Sequence, residues 1–169
     1  MTLILYARPY DIAAEGFYFR SADEYDKNIL ELKNDYGQPV EEFEIQFIDG
    51  ERLDADFASA FGLNQANFIR FFELADAWED HEKIRFIIAT GEGGYRFDPA
   101  TDDIDQLDVD IYAVESLKEL AEQFVDDGLF GEIPQALEFY LDYEAIARDL
   151  AVDYSMTEIA GDRFAYRCG

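Results

Sequence analysis

"DIYAVESLKELAEQFVDDG", residues 110–128, contains the change of period that decides the fold. Asp110–Val114 reads as a strand. From there the apolar residues return at Leu117, Leu120, Ala121, Phe124 and Val125, the i, i+3, i+4, i+7, i+8 spacing of a helix with one face on a core. Gly128 ends that helix. Further along, Pro134 opens a second helical stretch with two apolar stripes, Phe139, Tyr143, Ile146 and Leu150 on one side and Leu137, Tyr140 and Leu141 on another. Two faces predict a bend or two packing partners. Met156–Ile159 and Arg163–Arg167, either side of Ala160-Gly161-Asp162, read as a closing hairpin.

Upstream, Leu3–Arg8 and Phe17–Arg20 have strand composition, and Ser21-Ala22-Asp23-Glu24 fits a capping box. The helix it opens carries Tyr25, Ile29, Leu32 and Tyr36 as one stripe, with Gly37 and Pro39 as its stop. Phe43, Ile45 and Phe47 alternate with Glu44 and Gln46, as in a strand with one wet face. A second piece starts with a helix that gathers Phe68, Phe71, Phe72 and Ala75, a core that Trp78 extends. Lys83–Ile88 is ambiguous between helix and buried strand, and a hairpin through Tyr95-Arg96-Phe97 is possible. The expected class is α+β with mostly antiparallel strands. Three small domains are expected: an N-terminal β-β-α-β domain at 1–60, a central mainly helical one at 61–105, and a C-terminal α+β domain at 106–169.

Charge restricts function. Thirteen basic residues against 39 acidic ones leave −26. A chain 49% hydrophobic and 16% aromatic folds rather than staying an acidic tail. Its field repels nucleic acid and anionic membranes. The opening apolar run, Met1–Ala7, meets Arg8 and Pro9 at once, too short for a signal peptide or a spanning helix, so the cytoplasm is the expected compartment.

Catalytic and metal patterns do not form. From Asp103 a calcium loop would use Asp103, Asp105 and Leu107, with Asp108 where the loop needs glycine. His81 is a solvated helix histidine on the plain reading, and Cys168 is incidental. Gly91-Glu92-Gly93-Gly94 lacks the third glycine of a dinucleotide loop, no Walker lysine exists, and there is no G-x-S-x-G. No cofactor and no enzymatic activity are expected.

The carboxylates remain as a surface. Asp102, Asp103, Asp105, Asp108 and Asp110 form a run, and Glu115, Glu119, Glu122 and Asp126 form a stripe opposite the apolar face of the helix at 115–127. Four such charges span roughly 16 Å, about 4 Å each, near the 3.4 Å axial spacing of phosphates on one DNA strand. Like charges at i, i+4 cost a few tenths of a kcal/mol per pair, and only Lys118 offsets them. Glu138, Asp142 and Asp149 give a second stripe. Residues 98–153 hold seventeen acids against Lys118 and Arg148, a local net of −15. The whole-chain charge equals that of roughly 44 Å of B-DNA, about 13 base pairs. Such a surface suits a DNA-binding groove. It also suits plain solvation in a salt-adapted protein, as only four lysines occur, and composition leaves both readings open.

Residues 128–150, "GLFGEIPQALEFYLDYEAIARDL", resemble the ArdA antirestriction family, small acidic proteins of mobile genetic elements. Gly131-Glu132-Ile133-Pro134, Leu137, Tyr140, Asp142-Tyr143 and Arg148-Asp149-Leu150 match the family's antirestriction motif in type and spacing. Weaker likeness reaches Glu42–Ile45 and the strand and helix near 110–127. The start departs from the pattern: Leu5–Tyr10 lacks an Asn-rich turn, and Phe19 stands where tryptophan is frequent. The resemblance implies an elongated three-domain chain with an acidic outer surface, paired as a homodimer into a curved imitation of bent B-form DNA. It implies as partner the specificity and methyltransferase core of Type I restriction–modification enzymes, blocked by competition. The aspartate run and both stripes would then stand for phosphates, with Tyr140, Tyr143 and Arg148 packing or supporting the dimer. An acidic module for another basic partner is the alternative.

Overall fold

The computed structural model describes residues 2–169. The fold is α+β, with helices set against two antiparallel three-stranded sheets. The chain divides into two compact units, Met1–Asp105 and Gln106–Gly169.

In the first unit β1 (Ile4–Pro9) is the central strand, flanked by β2 (Phe17–Phe19) and β3 (Phe43–Asp49). The register sets Leu5 opposite Phe19 and Ala7 opposite Ile45, so alternate side chains bury on one face. Helix α1 (Ala22–Glu31) starts at Ser21, whose hydroxyl accepts the Glu24 N–H at 3.2 Å. The Glu24 carboxylate reaches back to the Arg20 N–H at 2.8 Å, one residue short of the reciprocal bond of a capping box.

The expected stripe overran this helix. Leu32 is already extended, and the Asn34 side-chain oxygen accepts the N–H groups of Tyr36 and Gln38 at 3.0 and 2.9 Å. That side chain offers the backbone a turn in place of a helix, which leaves Tyr36 exposed.

Three helices follow: α2 (Arg52–Phe61), α3 (Phe68–Ala77) and α4 (Asp80–Ile87), the last running into a π-helical turn at Ile88–Glu92. The ambiguous run at 83–88 is therefore helical. Phe86 on α4 meets Phe57 of α2 at 5.3 Å and Trp78 at 5.7 Å between ring centroids. Tyr95-Arg96-Phe97 forms no strand, because Phe97 turns onto Trp78 and Phe86 at 5.8 and 5.6 Å. Phe68 packs on Phe19 and Tyr25 at 5.3 and 4.6 Å, so α3 shares the core of the first sheet. Full burial of one such ring is worth about 1.5–3 kcal/mol.

In the second unit the sheet order is β4 (Val109–Ala113), β6 (Asp162–Cys168), β5 (Ser155–Ile159). The β5–β6 hairpin turns through Ala160 at φ 55° and Gly161 at φ 90°. Cys168, half-buried, lies opposite Val109. Helix α5 (Leu117–Asp126) sets Leu120 and Phe124 into a core with Val114, Tyr154 and Ala165, against which Tyr112, Leu117 and Leu150 pack. Ser116 and Glu119 open α5 with the geometry seen at α1: the hydroxyl accepts the Glu119 N–H, and the carboxylate accepts the Glu115 N–H at 2.7 Å.

The helical stretch expected from Pro134 is two pieces, a 3-10 turn at Gln135–Tyr140 and α6 (Tyr143–Leu150). Leu141 between them is extended. Asp142 caps α6 by accepting the Ala145 N–H at 3.0 Å, a place where a short carboxylate side chain is more favourable than in mid-helix. No helix among the described residues is long and apolar enough to cross a membrane.

Candidate protein-binding surface

The carboxylates singled out in the sequence divide by what they touch. In the first unit, Asp102 accepts the Asp98 N–H at 2.7 Å and Asp103 the Asp105 N–H at 3.0 Å, so both shape local turns. The aspartate run crosses the boundary between the units: Asp102, Asp103 and Asp105 belong to the first, Asp108 and Asp110 to the second. The Asp108 carbonyl accepts the Gly169 N–H at 3.0 Å. Asp110 stands opposite Arg167 across β4 and β6, and its carboxylate accepts the Arg167 Nε–H at 3.0 Å. That bond holds the Arg167 pKa above its ordinary value, and the guanidinium also lies 5.3 Å over the Tyr154 ring. Burial in turn pushes the Tyr154 hydroxyl up. The charge of Asp110 is thus largely compensated within the chain.

The expected stripe of four on one helix is reduced as well. Glu115 precedes the cap residue Ser116 and so lies off α5, and Glu119 caps the helix start. The proposed second stripe is broken in the same way. Glu138 sits in the 3-10 turn, Asp142 caps α6, and only Asp149 lies within the helix.

Six of the twelve residues have carboxylates that take no hydrogen bond or ion pair among the described residues: Asp105, Glu115, Glu122, Asp126, Glu138 and Asp149. All except Glu122 are exposed. Asp126 and Glu138 are brought together with Asp127 and Glu132 in the lining of a depression of about 480 Å3, along with Val125, Gly128, Gly131, Ile133 and Tyr143. No lysine or arginine lines it, so the field of four carboxylates converges there without local neutralisation. Asp127 was not among the expected contacts. It is the C-terminal cap residue of α5, and only its position beside Asp126 hinted at its place.

Of the motif residues, Gly131, Glu132, Ile133 and Tyr143 line this depression. Gly128 and Gly131 take φ of 76° and 88°, and the Gly131 N–H reaches the Gly128 carbonyl at 3.0 Å, a turn that excludes most side chains. Pro134 starts the 3-10 turn, with the Leu137 N–H on its carbonyl at 2.8 Å. Glu132 and Arg148 are exposed, and Tyr143 is half-buried. Tyr140 is 83% exposed and packs on little within this chain. Leu129, Phe130, Leu137 and Phe139, in the same twelve-residue segment, are also exposed. No group of three or more His, Cys, Asp or Glu among the described residues is placed to hold a metal ion.

This geometry suits electrostatic capture of a cationic surface. It coincides with a sequence match: residues 20–163 fit the family described as Antirestriction protein (ArdA). The chain belongs to the ArdA family. Antirestriction is the function that membership of ArdA carries, with restriction enzymes as the partners, and ArdA is a family of inhibitor proteins. The match begins after β2 and takes in α1 through β5 and the start of β6. No curated protein matches the chain.

Proposed function

We propose that the chain inhibits Type I restriction–modification enzymes by setting side-chain carboxylates where the phosphates of B-form DNA would lie in the DNA-binding groove. The specificity and methyltransferase core is the site of attack, and inhibition is competitive. The observation that carries this reading is the depression at Asp126, Asp127, Glu132 and Glu138, built by the ArdA motif segment and free of any cation. Charge attraction over such a surface speeds encounter with a lysine- and arginine-lined groove and weakens with salt. Within the run at Asp102–Asp110, Asp102 and Asp103 also hold turns and Asp110 holds an arginine, whereas the Asp105 carboxylate is unbonded and contributes its whole charge.

The working form is a homodimer in the cytoplasm. Five large apolar side chains, Leu129, Phe130, Leu137, Phe139 and Tyr140, are exposed within one short segment, and exposed apolar side chains of this number suit a self-association surface. The test is competition: purified protein is titrated into a Type I methyltransferase bound to labelled duplex. DNA should be displaced in a salt-sensitive manner. DNA retained at saturating inhibitor would refute the proposal.

A further inference from the structure

At one end of the first sheet the loop Tyr10–Gly16 and the turn Asn34–Gln38 are bonded into a single platform. The Asp11 carboxylate accepts the Ala13 N–H at 2.8 Å and the Asn34 Nδ2–H at 2.9 Å. The Asp35 N–H donates to the Ala13 carbonyl at 2.8 Å, and the Tyr10 N–H to the Glu42 carbonyl at 3.1 Å. On this platform Ile12 is fully exposed, Tyr36 80% exposed and Tyr10 67% exposed. Glu15, Asp35, Glu41 and Glu42, all exposed, lie on or next to these segments, and of the two nearby cations Arg8 is paired with Glu44, which leaves Lys33. A rigid loop that holds an isoleucine and two tyrosines in water, inside an acidic rim, has the make-up of a binding anchor. Ordering before contact lowers the entropy cost of binding, and tyrosine gives large contact area for few rotatable bonds.

We infer that Tyr10, Ile12 and Tyr36 form an apolar anchor that seats in a recess framed by lysine and arginine on the restriction enzyme, separate from the carboxylate depression. The acidic rim chooses the occupant: it repels a second acidic copy of this chain and attracts a basic protein face. This inference rests on the proposed function. The two surfaces differ in physics, because apolar burial is nearly indifferent to salt whereas charge pairing is screened by it.

The experiment measures binding of an immobilised Type I methyltransferase core across a salt series. Wild type is compared with Ile12→Ser/Tyr36→Ser and with Asp126→Asn/Glu138→Gln. The apolar variant should bind about tenfold more weakly at every salt concentration with an unchanged salt slope. The amide variant should show a shallower slope. Equal affinity of the apolar variant and wild type overturns the anchor while leaving the function standing. Absence of wild-type binding overturns the function and the anchor with it. A lower sedimenting mass for the apolar variant assigns the face to copies of this chain and also overturns the anchor. Circular dichroism checks the fold, and Tyr10→Ser, at a position with little burial, repeats the comparison by a milder change.

Discussion

Lys83 of α4 and Asp54 of α2 meet at 2.8 Å, each only 7% exposed, along a wall of a cavity of about 610 Å3 in the first unit. In a chain with only four lysines, one is committed to the interior. Two helices 29 residues apart along the chain are joined through it.

Removing one partner leaves the other charge buried and unpaired. Lys83→Met is expected to destabilise the first unit by about 3–5 kcal/mol, whereas Lys83→Met with Asp54→Leu recovers most of that loss. Urea unfolding followed by Trp78 fluorescence reads this directly, since Trp78 packs on Phe57 of α2 and Phe86 of α4. Equal midpoints for the single and double variants would show that the pair carries no coupling.

Asp11 gives an acid-sensitive loop. Its hydrogen bonds to Asn34 and then to the Ala13 N–H hold its pKa below 3.8. A depressed carboxyl stabilises the fold above its unfolded pKa and loses that contribution as pH falls through the folded value. Exchange protection of the Ala13 amide should therefore persist at mildly acidic pH and drop only below 3.8. Asp11→Asn should lower it at all pH. Protection lost near neutrality would contradict the assignment.

The hairpin turn is a site for gain. Ala160 at φ 55° sits where an L side chain is disfavoured, followed by Gly161 at φ 90°. Ala160→Asn creates the Asn-Gly pair preferred in such turns and should add roughly 0.5 kcal/mol, seen as a rise of a few degrees in Tm. An unchanged or lower Tm would argue against it.

Compensated and open carboxylates should behave differently. Asp110→Asn removes a charge already matched by Arg167 and is expected to change target affinity less than twofold. Glu122→Gln with Asp126→Asn and Glu138→Gln should weaken binding by about tenfold at low salt and by little at high salt. Equal losses from both sets would show that local pairing is irrelevant to recognition.

The apolar segment of the motif carries its own test. Phe139→Asp places a charge at a side chain 94% exposed, so the fold should stand while the dimer weakens. Analytical ultracentrifugation should show a shift towards monomer at micromolar concentration. Unchanged sedimentation would remove that segment from the self-association surface.

Legibility in the sequence followed periodicity. Helix α5 and strand β3 show their buried faces in the spacing of Leu120 with Phe124 and of Phe43 with Ile45. Helix α2 gave no such reading, because Asp54 interrupts its buried face and the lysine that permits this lies on another helix. Local side-chain chemistry set the helix ends: Asn34 diverts the chain after α1, and Asp142 caps α6. The carboxylates could be counted in the sequence, but their availability could not. Asp110 is compensated by an arginine 57 residues further on, and nothing near it signals that pairing.

Cys168, opposite Val109 in the second sheet, is the chain's one sulfhydryl and is only partly covered. A maleimide dye would therefore attach at a single address and alter no acidic group. Fluorescence anisotropy from that dye would follow complex formation in real time, with no tag engineered into the molecule.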